Sequence, residues 1–358
     1  MNDHFQVIKD AVRLEVPADH RVPIAIVGAG GIVDGAHLVA YKKAGLSVDA
    51  ITDTDINKAK EVAGKYGIPN VYASLEEMIK KSSAQVFDIA VPVAAQPELF
   101  AKIAGAGKSI LAQKPLATTV EAGVVMADLA DQNKIVAAVN QQLRFEEGVA
   151  AAHKMVELGW IGTVTNFTVN VNLATPWELW PWAKSMDRLE VMLHSIHYHD
   201  MIRWFLGEPK TVFCAAGRTK GQFPKGETRT ISTYVYGNGL TGLVHSSHVN
   251  RGGDNYAEYR IDGDKGSIRG TFGLLYDYPH GRISTLEINS QVLPTEGWSS
   301  YPISTLWFPD AFIGTMGSVM GNLANGAPLR SSVRENIGTL KLVTALYESM
   351  ENERSVNL

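Results

Sequence analysis

The 358-residue chain predicts two architectures in succession: a doubly wound α/β domain with a parallel sheet, then a mostly antiparallel α+β domain with helices on one sheet face. Three observations carry this reading. A buried apolar strand, Ile24-Ala25-Ile26-Val27, runs straight into the glycine-rich turn Gly28-Ala29-Gly30-Gly31-Ile32. From Pro23 to Gln142, short apolar runs alternate with helical patterns, which means parallel strands covered on both faces. After Ala150, strands of alternating polarity follow one another with few helices between them. The expected organisation is an N-terminal extension over 1–22, a first domain over 23–142, a second over 143–330, and a terminal helix over 331–358 packing back toward the first domain.

In order, the first strand ends in a turn suited to a dinucleotide. Gly28 permits the tight turn, and Gly30 lets a pyrophosphate approach the backbone. The helix opening at Gly31 and Ile32 would aim its unpaired N–H groups at the phosphates. Val33 occupies the place of the fingerprint's third glycine. The next strand, Ser47 to Thr52, ends at Asp53, about 20 residues on, where a carboxylate accepts from a ribose 2′-hydroxyl and repels a 2′-phosphate. The cofactor is therefore read as NAD in a Rossmann domain. Further parallel strands are expected at Val86–Val91, Ser109–Ala112 and Ile135–Val139.

Ligands of such sheets lie beyond the carboxyl ends of the strands, so two loops stand out. One carries Pro92 and Gln96; the other is Ala112-Gln113-Lys114-Pro115-Leu116. A lysine held at a strand end by a following proline can be aimed at a substrate hydroxyl or carbonyl. Antiparallel strands are expected at Val164–Leu173, Lys210–Ala216, Thr228–Tyr236, Thr241–Val249, Tyr256–Asp262 and Ser267–Phe272, and a final helix at Arg334–Glu351.

Composition excludes several classes. A net charge of −4 gives no basic field for nucleic acid, and no stretch reaches the roughly 18 apolar residues of a membrane span. The single cysteine, Cys214, sits in an apolar run and reads as core; with no disulfide possible, a cytoplasmic location is expected.

The segment Gly107 to Leu116, the helix Ile196-His197-Tyr198-His199-Asp200-Met201-Ile202-Arg203-Trp204-Phe205-Leu206-Gly207-Glu208-Pro209, the run Ile261-Asp262-Gly263-Asp264-Lys265-Gly266-Ser267 and Asn325-Gly326-Ala327-Pro328 together resemble the Gfo/Idh/MocA family of sugar and polyol dehydrogenases. The resemblance covers nearly all of the chain from Pro23 onward. It implies that Lys114 and His197 act on the reacting hydroxyl, that Gly28, Gly30, Gly31, Ile32, Asp53, Pro92, Gln96, Gln113 and Lys114 surround the cofactor, and that the second sheet is buried in a homodimer or homotetramer. There are departures. Gln113 replaces the usual Glu, Val93 a common Asn and Gln96 a common His, while Leu193 stands where the family often has Asp before its histidine.

If Leu189 to Leu206 is one helix, Glu190, His194, His197 and Met201 share a face and His199 lies on the far side. His194 or Glu190 would then take over part of the missing Asp's task. Glu190, His194 and His197 at helical spacing could also ligate a metal, but hydride transfer with a lysine needs none, and no metal is assigned. Asn140 and Arg144, after the last parallel strand, are read as substrate contacts, the arginine fork suggesting a sugar acid. Trp177, Trp180 and Trp182 precede the histidine helix, Trp177 and Trp182 being further substrate candidates with Glu190, His194 and His197. The function read from all this is NAD-dependent hydride transfer to or from a hydroxyl carbon of a sugar, polyol or sugar acid. The alternatives are an oxidoisomerase that recycles bound NAD and a noncatalytic NAD-responsive regulator on the same fold.

Overall fold

A computed structural model describes residues 3–278, 281–294 and 296–358. Residues 1 and 2 of the expected extension, and 279, 280 and 295 of the expected second domain, lie outside the described residues. The chain divides into two compact units, each discontinuous in sequence. One comprises Leu14–Phe145 and Phe308–Leu340; the other comprises the residues up to Arg13, Glu146–Trp307 and Lys341–Leu358.

The first unit is built on six parallel strands: β1 (Ile24–Val27), β2 (Val48–Thr52), β3 (Asn70–Val71), β4 (Val86–Ile89), β5 (Ser109–Gln113) and β6 (Ala137–Asn140). Their order, β3-β2-β1-β4-β5-β6, is that of the doubly wound dinucleotide fold, with its switch point between β1 and β4. Successive side chains of each strand enter opposite cores. Ile24, Ile26, Ile51 and Leu111 pack on one face, and Ala25, Val27, Phe87 and Ile110 on the other. Burial on both faces is why these strands read as unbroken apolar runs.

Two late helices complete those cores. Helix Ala311–Asn325 buries Phe312, Met316 and Met320 on the first face, and helix Val333–Asn352 contributes Val333, Ile337 and Leu340 to the second. A β-carbon on Gly314 would stand 2.6 Å from the Phe145 ring, so only glycine allows that approach. Residues 308–330 thus pack with the dinucleotide sheet, whereas the sequence boundaries placed them in the second domain. The N-terminal 22 residues are divided too. Ile8 of helix Gln6–Ala11 is fully buried in the second unit, and Val16 lies in the core of the first.

The second unit holds a nine-stranded sheet: β7 (Val164–Asn172), β8 (Thr211–Gly217), β9 (Arg229–Val235), β10 (Thr241–Ser247), β11 (Tyr256–Gly263), β12 (Gly266–Thr271), β13 (Leu286–Ser290), β14 (Ser299–Ser300) and β15 (Val356–Asn357), in the order β14-β13-β12-β11-β7-β10-β9-β8-β15. It is antiparallel except where β10 runs parallel to β7. Phe167, Val169, Tyr234, Val244, Tyr259 and Ile261 alternate onto a buried face, while Phe213, Ile231 and Val235 point outward and stay exposed. Helix Ile196–Leu206 packs against β10. Cys214 is buried on β8, and burial pushes its thiol up to about 12, as a core cysteine requires. Among the described residues, no helix is long and apolar enough to cross a membrane.

Candidate active site

Each unit presents a cluster of polar groups at the end of its sheet. In the first unit, Gly28 follows β1 with φ +106°, and a β-carbon there would lie 2.4 Å from the Ala90 carbonyl oxygen. A glycine is required on both counts. At Gly30 and Gly31 a β-carbon would meet nothing within 4 Å, which leaves the backbone approachable by a phosphate. Ile32 is half-buried against the core, and the chain continues through a π turn, Val33–His37, into helix Leu38–Lys43. The Asp53 carboxylate at the end of β2 accepts from the amides of Ala29 (2.6 Å) and Asp55 (2.8 Å). It is therefore tied to the glycine turn, where a ribose diol would be read.

Lys114 follows β5 through a cis peptide bond to Pro115, and desolvation lowers its ammonium to about 8. Its surroundings are more heavily braced than the sequence implied. Gln113 Oε1 accepts from the Lys114 amide (2.8 Å), and Gln113 Nε2 lies 3.1 Å from His37 Nε2. His37 in turn places Nδ1 2.6 Å from Asp88 Oδ2, which also accepts from Tyr41 Oη at 2.6 Å. Asp88 keeps the proton on Nδ1, so Nε2 receives the amides of Gln113 and, at 3.4 Å, Asn140. The result is a buried chain, Asp88–His37–Gln113, ending on the backbone of Lys114. Sequence reasoning missed it. Asp88 in the apolar run Val86-Phe87-Asp88-Ile89-Ala90 was a usable signal, because a carboxylate buried in a parallel strand needs partners.

Several first-unit candidates are buried and hydrogen-bonded within the protein. Gln96 is buried with Nε2 donating to the Pro115 carbonyl (2.7 Å), so it holds the turn after Lys114. Pro92 stands exposed before the 3₁₀ turn Val93–Ala95. Asn140 is fully buried on His37. Arg144 is also buried, and its guanidinium donates to the Arg330 carbonyl (2.7 Å) and to Glu335 (3.1 Å). The carboxylate that meets its fork belongs to the protein, which corrects the reading of Arg144 as a reader of a substrate acid.

In the second unit the expected continuous helix is interrupted. Glu190–His194 is a π turn, closed by Ser195 N donating to the Glu190 carbonyl (2.8 Å), and the α-helix begins only at Ile196. The carboxylate of Glu227 starts this turn by accepting from the amides of Leu189 and Val191, both at 3.2 Å, and from Tyr347 Oη at 2.6 Å. The π turn changes which groups meet. Glu190 is fully buried with Oε1 3.6 Å from His194 Nδ1 and 3.5 Å from His248 Nε2. Burial pushes its carboxyl up, but the two histidines outweigh that and hold it well below the usual carboxylate range. His248, on the polar strand end His245 to His248, takes the place beside Glu190 and His194 that the helical wheel gave to His197. His197 is buried with its ring edge-on to Trp307.

His199 is not isolated either. Its Nε2 lies 2.8 Å from Ser195 Oγ, which donates to Glu190 Oε2 at 2.9 Å, and its Nδ1 lies 2.5 Å from Tyr234 Oη. The separation expected from a regular helix therefore fails, because the inserted residue of the π turn rotates Glu190 toward Ser195. Burial lowers His199 to about 4, which leaves it a neutral link. Trp177 packs beside His248 at 5.0 Å between ring centroids, while Trp182 is 49% exposed.

A family model described as "Oxidoreductase family, NAD-binding Rossmann fold" matches residues 22–141, and one described as "GFO/IDH/MocA C-terminal domain" matches residues 149–269. The chain belongs to the GFO/IDH/MocA oxidoreductases. Among curated members, it is 24% identical to the D-apiose dehydrogenase of Paraburkholderia graminis over 93% of this chain and 89% of that one. It is 26% identical to the levoglucosan dehydrogenase of Pseudarthrobacter phenanthrenivorans over 68% and 72%. Among solved folds, an Agrobacterium radiobacter oxidoreductase in complex with NAD+, L-tartaric acid and magnesium superposes with a TM-score of 0.84 at 23% identity, covering 94% of this chain and 98% of that one. A levoglucosan dehydrogenase with NADH and levoglucosan gives 0.81 at 22% identity, over 94% and 99%. This family member binds NAD through its first unit, and the open backbone at Gly30 and Gly31 with Asp53 beside the turn fits that cofactor.

Proposed function

We propose that the protein is an NAD-dependent dehydrogenase of a neutral sugar or polyol, oxidising one secondary hydroxyl to a ketone or performing the reverse. The observation that carries this is Lys114: a lysine braced at a strand end in the NAD-binding unit, with its ammonium lowered to about 8. Bound NAD supplies the hydride acceptor. Gly28, Gly30 and Gly31 hold its pyrophosphate backbone, and Asp53 its ribose. Lys114, as the neutral amine, helps remove the proton of the reacting hydroxyl, and His197 receives that proton in turn.

The engaged fork of Arg144 withdraws the argument for a sugar acid. The D-apiose and levoglucosan dehydrogenases support a neutral substrate. The protein works in the cytoplasm as a homodimer or homotetramer, with the outer face of the second sheet covered by another copy. The test compares matched neutral aldoses, anhydrosugars, polyols, aldonates and uronates with NAD, following NADH and the organic product. NADH formation on the neutral compounds is expected; a preference for acids, or conversion without NADH, contradicts it.

A further inference from the structure

We propose that Glu190, His194 and His248 bind a divalent transition-metal ion, with zinc the best match. The three side chains come from the π turn and the residue just after β10 and offer Glu190 Oε1, His194 Nδ1 and His248 Nε2, all within 4.8 Å of one another. The two nitrogens stand 3.6 and 3.5 Å from the carboxylate oxygen. A charge-assisted hydrogen bond would draw each pair to about 2.7–2.9 Å. Ligand atoms about 2.0–2.2 Å from one tetrahedral zinc stand roughly 3.3–3.5 Å apart. The two separations from the carboxylate oxygen therefore match those of atoms sharing an ion.

The surroundings direct these atoms inward. Glu190 Oε2 receives Ser195 Oγ (2.9 Å) and Thr230 Oγ1 (2.8 Å), while Oε1 is buried with no hydrogen-bond partner. Thr175 Oγ1 lies 2.7 Å from His248 Nδ1 and, by taking its proton, leaves Nε2 with the lone pair that faces Glu190. Such outer partners fix ligand tautomer and orientation in metal sites. Ser246 Oγ, 3.4 Å from the same Nε2, is a long contact that an ion displaces. Trp177 walls the His248 side, and His194, 25% exposed, leaves a route in and an open fourth position. A hydroxyl of the polyhydroxylated substrate fits that position; this last assignment rests on the proposed dehydrogenase reading, whereas metal binding does not.

The experiment uses the full chain freed of any affinity tag and measures metal per chain by mass spectrometry. After removal of metal with a chelator, the apoprotein is titrated with Zn2+ and with Co2+, following thermal midpoint and the cobalt ligand-field absorption. The expected results are about one ion per chain, a higher midpoint with metal, and a four-coordinate cobalt spectrum. His248→Ala and His194→Ala should weaken binding more than about a hundredfold, and Thr175→Val by about tenfold. Because His248 is buried and its variant can fail to fold for unrelated reasons, the partly exposed His194 and the isosteric Thr175 change keep the test decisive. Apoprotein that takes up neither ion, or affinity unchanged in His194→Ala and Thr175→Val, overturns the site. A metal-free protein that still reduces NAD with a sugar at the full rate overturns the assignment of a substrate hydroxyl to the ion and leaves its binding to the titration, and a metal-loaded protein inert toward every sugar overturns the reaction alone.

Discussion

Lys114 sets the expected pH behaviour of the reaction. With its ammonium lowered to about 8, the amine gains its role as a base as pH rises through that value, so kcat/KM for oxidation should increase along a limb near pH 8. Lys114→Met should remove the limb and cost about a hundredfold or more in turnover, with NAD affinity nearly unchanged in a direct binding titration. Profiles that coincide in wild type and variant would remove Lys114 from the chemistry. His37 acts one step back, through Gln113. His37→Ala should lower kcat with little change in NAD affinity, and an unaltered kcat would mean that the Asp88–His37–Gln113 chain serves stability only. Asp53 governs cofactor choice: Asp53→Ser should narrow the preference for NAD over NADP, and a wild type that prefers NADP would refute this reading.

At the scale of elements, two buried carboxylates start helical segments of the second unit. Glu227 receives two amides and the Tyr347 hydroxyl at the head of the π turn. Glu227→Ala leaves those donors without an acceptor, so urea denaturation should show a loss of about 1–3 kcal/mol. A stability within error of wild type would mean that water replaces the carboxylate. Glu146 caps helix Glu147–Glu157, with Val149 N donating to Oε2 at 2.7 Å, and burial raises its carboxyl from 4.5 to about 7. The folded chain favours its protonated form. Its contribution to stability is therefore full below pH 4.5 and is lost as pH rises to about 7. Glu146→Gln should flatten the denaturation midpoint across that window, since an amide keeps the acceptor and cannot ionise; an unchanged slope would assign the pH dependence elsewhere.

For the whole molecule, the outer face of the second sheet is decisive. Phe213, Ile231 and Val235 stand exposed on neighbouring strands, a patch more apolar than a sheet facing water requires. Sedimentation should find a dimer or tetramer, and Ile231→Arg should shift it toward the monomer. A monomeric wild type would leave the patch to another use.

Much of this was legible in the sequence because it is local. The strand–glycine turn, the spacing to Asp53 and the Lys-Pro strand end follow from backbone rules acting over a few residues, and the parallel strands declare themselves by unbroken apolar runs. The alternating pattern after Ala150 likewise foretold a one-sided sheet. What the tertiary structure alone decided involves partners remote in sequence. Helix Ala311–Asn325 joins the first sheet nearly 300 residues after β1, because that sheet needs apolar cover that its own crossover helices do not complete. Arg144 finds Glu335, Asp88 finds His37, and Glu190 finds His248, each because a buried charge or dipole has to be answered by whatever side chain the packing brings within reach. The wheel drawn for Leu189–Leu206 assumed uniform α-helical turns, and one π turn, held by a glutamate 38 residues away, was enough to exchange the neighbours of Glu190.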